Sequence, residues 1–424
     1  MTAASRWASG AEDALAPYEP ALTRTALADD LRTRVFPPPT TRGAAPLVGA
    51  EVEIIPVDQR SRRPLPLEGE RSTLALLRQV GASAGWRERR SAKAGVPEIE
   101  LPDGGRITFE PGGQIEISAA PNASLTALAR NLRAVVARIA AVASPDVELL
   151  ACGIDPETPV EDVPPQLEAE RYRRMLRYLD RIGPSGARMM RQTASFQVCV
   201  DGGEAPELTW RVLNAVAPVM VAIFASSPRY ERRDTGHKSF RGHVWRTLDP
   251  RRTGLLGMGE DAIDEYLEFA LDAPAFLMPD VDGRSVPFSH WLARGATETD
   301  WCTHLSTLFP EVRPRGYYEL RSCDVVAPKW YAVPLVIVAG LVYHRPTLEA
   351  ADDLLGRPNP ELLSRAGHVG LADPAIASLA TTLCELAVDG CRALGTAFAD
   401  PRDLATAERY LDRYTRRRRS PADD

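Results

Sequence analysis

The sequence lacks most of the signatures that assign a protein quickly. Its six cysteines (Cys152, Cys199, Cys302, Cys323, Cys384 and Cys391) contain no C-x-x-C pair. Neither a disulfide framework nor a zinc site follows, and the compartment reads as reducing cytosol. The six histidines form no H-E-x-x-H or other ligand-spaced cluster. The N-terminus has no signal-peptide core. The longest apolar run, Trp330 to Tyr343, is too short for a bilayer and contains Pro334, so it reads as a buried helix with no membrane partner expected. Lys and Arg number 51 against 57 Asp and Glu, a net charge of −6, which gives no attraction to nucleic acid. The one basic run, Arg416 to Arg419, ends a helical pattern and reads as a solvated helix terminus. Gly236 to Ser239 (GHKS) lacks the glycine spacing of a phosphate loop, and Gly254, Gly257 and Gly259 miss the dinucleotide spacing. No Ser/His/Asp or Cys/His arrangement points to a side-chain nucleophile.

What remains is an ordinary globular composition. The 424 residues are 44% hydrophobic and 25% charged, enough for a large core. Residues 1–45, rich in Ala, Pro, Arg and Thr, read as a loosely held extension with one helix near 26–35. No linker follows, so residues 46–424 are expected to form a single catalytic domain, with sheet and helices to about 345 and helices beyond. Strands are read at 50–57, 98–101, 107–110, 114–118, 147–152, 193–200, 275–278 and 315–323, and helices at 72–79, 122–142, 167–182, 206–227, 261–271 and 301–308. Asp234 to Arg252 has no clean periodicity and reads as an ordered loop. Strands interleaved with helices, without tight βαβ repeats, predict an α+β fold with an antiparallel sheet.

The chemistry concentrates on three strands. In ITFEPGGQIEIS (107–118), Pro111, Gly112 and Gly113 supply a tight turn, so the flanking segments fold back as a hairpin with Gln114, Glu116 and Ser118 on one face and Ile115 and Ile117 on the other. AEVEI (50–54) aligns Glu51 with Glu53, and YYELR (317–321) aligns Glu319 with Arg321. Any one of these strands alone could present its glutamates to water. Three together would repel one another unless cations sat among them, which points to a magnesium-loaded face.

FEPGGQIEIS, MMRQTASFQVCVD, SFRGHVWRTLDPRRTG and YYELRSCD stand in this order, and together they resemble the glutamate-cysteine ligase family, especially its plant-type and actinobacterial ergothioneine-pathway branch. The likeness runs from about residue 46 to 345. It implies a glutamine synthetase-like fold, a curved antiparallel sheet whose concave face holds ATP, magnesium and glutamate. Residue by residue, it makes Glu51, Glu53, Glu110, Glu116, Gln197 and Glu319 the candidate magnesium ligands, all of them oxygen donors. It assigns Arg321 to the phosphate being transferred and Arg241 to a substrate carboxylate or phosphate, with Arg251 and Arg252 as further candidates. The implied activity is ATP-dependent γ-glutamyl ligation, in which L-glutamate is activated as γ-glutamyl phosphate and an amino-acid acceptor, foremost L-cysteine, displaces phosphate. Cys199 stands where family members commonly carry Asn. It shares the strand face of Gln197, so the acceptor pocket can differ from the usual one. Two other readings stand beside this one: the same chemistry on another small or non-protein amino acid, and a silent nucleotide or amino-acid sensor.

Overall fold

The computed structural model describes residues 22–41, 43–90 and 95–424. The first 21 residues of the expected loose extension thus lie outside the described part. The stretch that follows is docked rather than loose. Thr23 caps helix α1 (Arg24–Asp30), a π-helical turn (Leu31–Val35) continues it, and Leu27 and Leu31 are fully buried.

Nine strands form the main sheet: β1 (Val48–Asp58), β2 (Arg87–Arg90), β3 (Pro97–Glu100), β4 (Arg106–Phe109), β5 (Ile115–Ser118), β6 (Val147–Leu150), β7 (Ser195–Val200), β8 (Val312–Pro314) and β9 (Tyr318–Asp324). Their order is β8-β9-β7-β1-β5-β4-β3-β2, with β6 pairing the far half of β1, and every pairing in it is antiparallel. The α+β expectation holds. The long strand β1 is the spine because it pairs β5 on one side and β7 on the other, opposing Glu53 to Glu116 and Glu51 to both Ser118 and Gln197.

Period-two alternation then sorts the sheet into two faces. Val48, Ala50, Val52 and Ile54 of β1, Ile115 and Ile117 of β5, and Phe196 and Val198 of β7 point to the rear and are buried to within 2%. Helices α3 (Leu125–Ala143), α6 (Pro206–Phe224), α8 (Ala332–Tyr343), α9 (Pro374–Ala393) and α10 (Pro401–Arg413) make up the apolar layer on that side, α3 and α8 packing on strands and α9 and α10 on α8. By length and composition α6 could cross a membrane, but 83% of its apolar window is buried inside the protein. The run expected as a buried helix is α8, and it is buried along nearly its whole length. Across the polar face lie α4 (Glu170–Asp180), α5 (Ser185–Gln192) and α7 (Phe240–Arg246); α2 (Thr73–Ala84) packs on α3.

Two further expectations fail. The segment read as a loop contains α7, capped by the Ser239 hydroxyl. Its pattern is hidden because both faces are occupied: Phe240 and Val244 enter a small apolar cluster while Arg241 and Trp245 turn toward the sheet. The strand read at 275–278 is a turn, where Phe276 N–H bonds the Pro274 carbonyl and prolines at 274 and 279 bound a stretch too short for a ladder.

Candidate active site

The hairpin between β4 and β5 builds the floor. Gly113 takes φ +88°, and a Cβ on Gly112 would lie 2.0 Å from the Arg191 carbonyl oxygen, so only glycine lets the turn seat against the end of α5. Gln114, buried, accepts from Gly112 N–H at 3.0 Å and donates to the Thr193 carbonyl at 3.1 Å, tying the turn to the segment leading into β7. Glu110 and Glu116 are thereby carried over β1, where Glu53, Glu110 and Glu116 each offer an oxygen within 4.8 Å of the others. Glu53 accepts from Ser195 N–H at 2.7 Å and from the Gln197 amide at 3.1 Å, and Glu116 accepts from the Thr108 hydroxyl at 2.6 Å.

The electrostatics divide the site into two halves. Burial, then the neighbouring Glu116 and Glu319, push the Glu51 carboxyl up to about 8. Burial pushes Glu53 up, with Glu116 adding to it against the pull of Arg241 and Arg321; Glu110 rises well above its ordinary value from burial and from the charges of Glu116 and Glu53. Glu319 is the opposite case. Burial would raise it, but Arg313, Arg321 and Arg315 hold it well below the usual carboxylate range. Its carboxylate takes Arg313 at 2.7 and 3.1 Å, Arg321 at 2.8 Å and Arg315 at 3.4 Å. Arg321 also donates to the Gln197 side-chain amide oxygen (Oε1) at 2.7 Å, joining the basic half to the acidic one.

A cleft with about 210 Å³ of free volume opens over these groups, between the sheet and α4, α5 and α7. It takes in Glu51, Glu53, Glu110, Glu116, Gln197 and Arg321 of the residues expected from sequence. Glu319 lies beneath it, fully buried behind its arginines. Arg241 sits one layer back and is 3% exposed, its guanidinium donating to the Arg321 backbone carbonyl at 2.9 Å and lying 3.8 Å from Asp324. Arg251 and Arg252 do not reach the cleft. Every nitrogen of Arg252 is occupied, by Asp249, Thr307 and the Pro274 carbonyl, with Tyr178 and Phe276 rings 4.9 and 4.7 Å from its guanidinium, while Arg251 lies half-exposed near Asp249.

Cys199 shares the face of Gln197, as expected, but two residues of strand carry it roughly 7 Å further along. There it faces a separate, mostly apolar cavity of about 450 Å³ with Gly49, Ser118, Val200 and Tyr317. The two cavities meet at Glu51 and Arg106. Sequence reasoning missed Arg313 and Arg315, although the turn-forming RPRGYYELR spacing folds Arg313 back opposite Glu319. It also missed the cleft residues Arg171 and Tyr172, which come from a helix with no motif of its own, and Trp245, which stands in the SFRGHVW segment but was given no role there.

An antiparallel sheet whose polar face joins clustered carboxylates to a bank of arginines suits a glutamine synthetase-like carboxylate-amine ligase, and comparison with known proteins gives that class, ATP-dependent, to this chain. The sequence profile of glutamate-cysteine ligase family 2 (GCS2) matches residues 47–413, and the chain belongs to that family. It is 35% identical over 359 residues to the glutamate-cysteine ligase EgtA of Mycolicibacterium smegmatis, covering 80% of this chain and 81% of that one. With the chloroplastic glutamate-cysteine ligase of Brassica juncea it shares 29% identity over 378 residues, 82% and 72% of the two chains. The solved glutamate-cysteine ligase of Francisella tularensis, in complex with AMP, shares the fold with a TM-score of 0.51 at 12% identity, over 89% of this chain and 82% of that one.

Proposed function

We propose that the chain joins the γ-carboxylate of L-glutamate to the amino group of L-cysteine, with ATP and magnesium, through γ-glutamyl phosphate, and that residues 46–424 act as one catalytic unit. The observation that carries the reading is the set of three carboxylates within 4.8 Å, two of them pushed up by burial and mutual repulsion. An all-oxygen, electron-rich cluster of this kind suits a hard divalent cation. Glu53, Glu110 and Glu116 would hold one magnesium, Glu51 and Gln197 would offer further oxygens from the same cleft, and Glu319, whose carboxylate is taken by three arginines, would act on a cation only with them between. Magnesium there would neutralise the phosphoryl oxygens.

The chain's own residues do the rest. Arg321, with Arg313 and Arg315, faces the charge on the transferring phosphoryl group, and Arg241 steadies Arg321 from behind. The small polar cleft suits glutamate, and the Met175, Met189 and Met190 wall suits a small sulfur-bearing acceptor. The larger apolar cavity suits the nucleotide base, with Arg106 at the junction toward the phosphates.

The test is turnover with ATP, glutamate and each amino acid in turn, reading ADP and the γ-glutamyl dipeptide by mass. Cysteine-dependent γ-glutamylcysteine formation that stops in excess chelator is expected. Turnover that survives chelation contradicts the metal assignment, and preference for another acceptor moves the reading to the same chemistry on a different amine.

A further inference from the structure

We propose that Trp245 is a positioning residue for phosphoryl transfer, its indole ring holding Arg321 and Arg241 in register over the carboxylate cleft. The inference rests on the ligase reading above. Trp245 lies four residues after Arg241 on α7, so the two side chains stand on one helix face. The Arg241 guanidinium carbon is 5.7 Å and that of Arg321 5.4 Å from the indole, both within the range where an aromatic face attracts a cation. Phe309 packs against the ring at 5.8 Å, edge to face, from the other wall of the cleft.

Two arginines placed this close repel each other, and a cluster of anions stands in front of them. Arg321 must hold its Nη1 between the Gln197 side-chain oxygen and the Glu319 carboxylate, 2.7 and 2.8 Å away, before substrate arrives. The ring's negative face offsets the repulsion without offering a competing carboxylate, which leaves the outer guanidinium edges free for phosphoryl oxygens. The helix is in turn pinned by Asp324, which accepts from the Ser239 cap at 2.9 Å and from Ser227 at 2.6 Å. A second feature sits beside the ring. The indole N–H and the Arg241 Nε–H are both buried without a partner, and both residues line a water-sized cavity of about 10 Å³ with Glu311 and Ser322.

The two features are separable by substitution. Trp245→Phe keeps an aromatic face and removes the N–H, whereas Trp245→Leu removes both. A desolvated cation-aromatic pair corresponds to roughly a tenfold to thirtyfold effect. Trp245→Leu should therefore lower kcat about thirtyfold with the KM for the acceptor changed less than about threefold, and Trp245→Phe should retain at least about a fifth of kcat. Equal losses in the two variants, or full kcat in Trp245→Leu, would overturn the proposal. Thermal shift with ATP and magnesium needs no turnover: the ATP-induced rise in Tm should shrink in Trp245→Leu and persist in Trp245→Phe. If the wild type shows that shift but no glutamate-dependent ADP, the ligase reading fails while the pattern across variants still decides the role of the ring. Should Trp245→Leu not fold, Trp245→Met replaces it with the same expectations.

Discussion

At the scale of single residues, the site sets two kinds of buried glutamate side by side. Glu319 is compensated by three arginines, whereas Glu53 and Glu110 are raised by burial and by the neighbouring Glu116, Glu110 also by Glu53. Neutral replacements should therefore have opposite effects on stability. Glu319→Gln strands the largely buried charges of Arg313 and Arg321, so it should cost about 3 kcal/mol or more as well as lowering kcat about a hundredfold. Urea unfolding beside kinetics checks both, and an unchanged midpoint would show that the arginines find water without rearrangement. Glu110→Gln removes a repelling charge, so the metal-free protein should gain stability while its magnesium-induced rise in Tm disappears. A retained rise would take Glu110 out of the metal site. The pH dependence has a definite sign. Glu51 moves from an ordinary carboxyl value to about 8 on folding, so the native state holds more protons than the unfolded chain between roughly pH 4.5 and 8. Metal-free stability should fall as pH rises through that window, and magnesium should raise Tm more at pH 8 than at pH 6, because binding must release those protons.

The secondary elements show what could be read in advance and what could not. The β4–β5 hairpin was legible because Pro111, Gly112 and Gly113 encode a turn locally and isoleucines alternate with polar residues after it. Gly112→Ala should disrupt that turn: the added methyl meets the Arg191 carbonyl, an overpacking worth about 1 to 3 kcal/mol that also shifts Glu110. A lower Tm with weakened magnesium response is expected, and a neutral result would mean the turn moves freely. Helix α7 was not legible, because a seven-residue helix buried on two faces has no amphipathic period. Arg252 misled for the same kind of reason. Its place in the DPRR stretch suggests a ligand contact, but whether an arginine meets substrate or the carbonyls of Pro274 and Thr307 is decided by residues far away in sequence.

For the whole molecule, the antiparallel sheet separates an apolar rear, filled by α6, α8 and the C-terminal helices, from a polar front that carries both cavities. Strand alternation could place Cys199 on the front but not in one cavity or the other, since that depends on how β4 and the segment after β8 wall off the space around it. The structure sets Cys199 in the apolar cavity proposed for the nucleotide base. Cys199→Asn is therefore expected to change the KM for ATP while the preference for cysteine over 2-aminobutyrate stays within about twofold. A tenfold change in that ratio would put the acceptor in the apolar cavity instead. The central claim, that this front face makes γ-glutamyl phosphate, is tested most directly by following oxygen. With L-glutamate labelled by 18O in the γ-carboxylate, each magnesium-dependent turnover should deliver one 18O atom into the released phosphate together with ADP; unlabelled phosphate, or AMP and pyrophosphate as products, would contradict it.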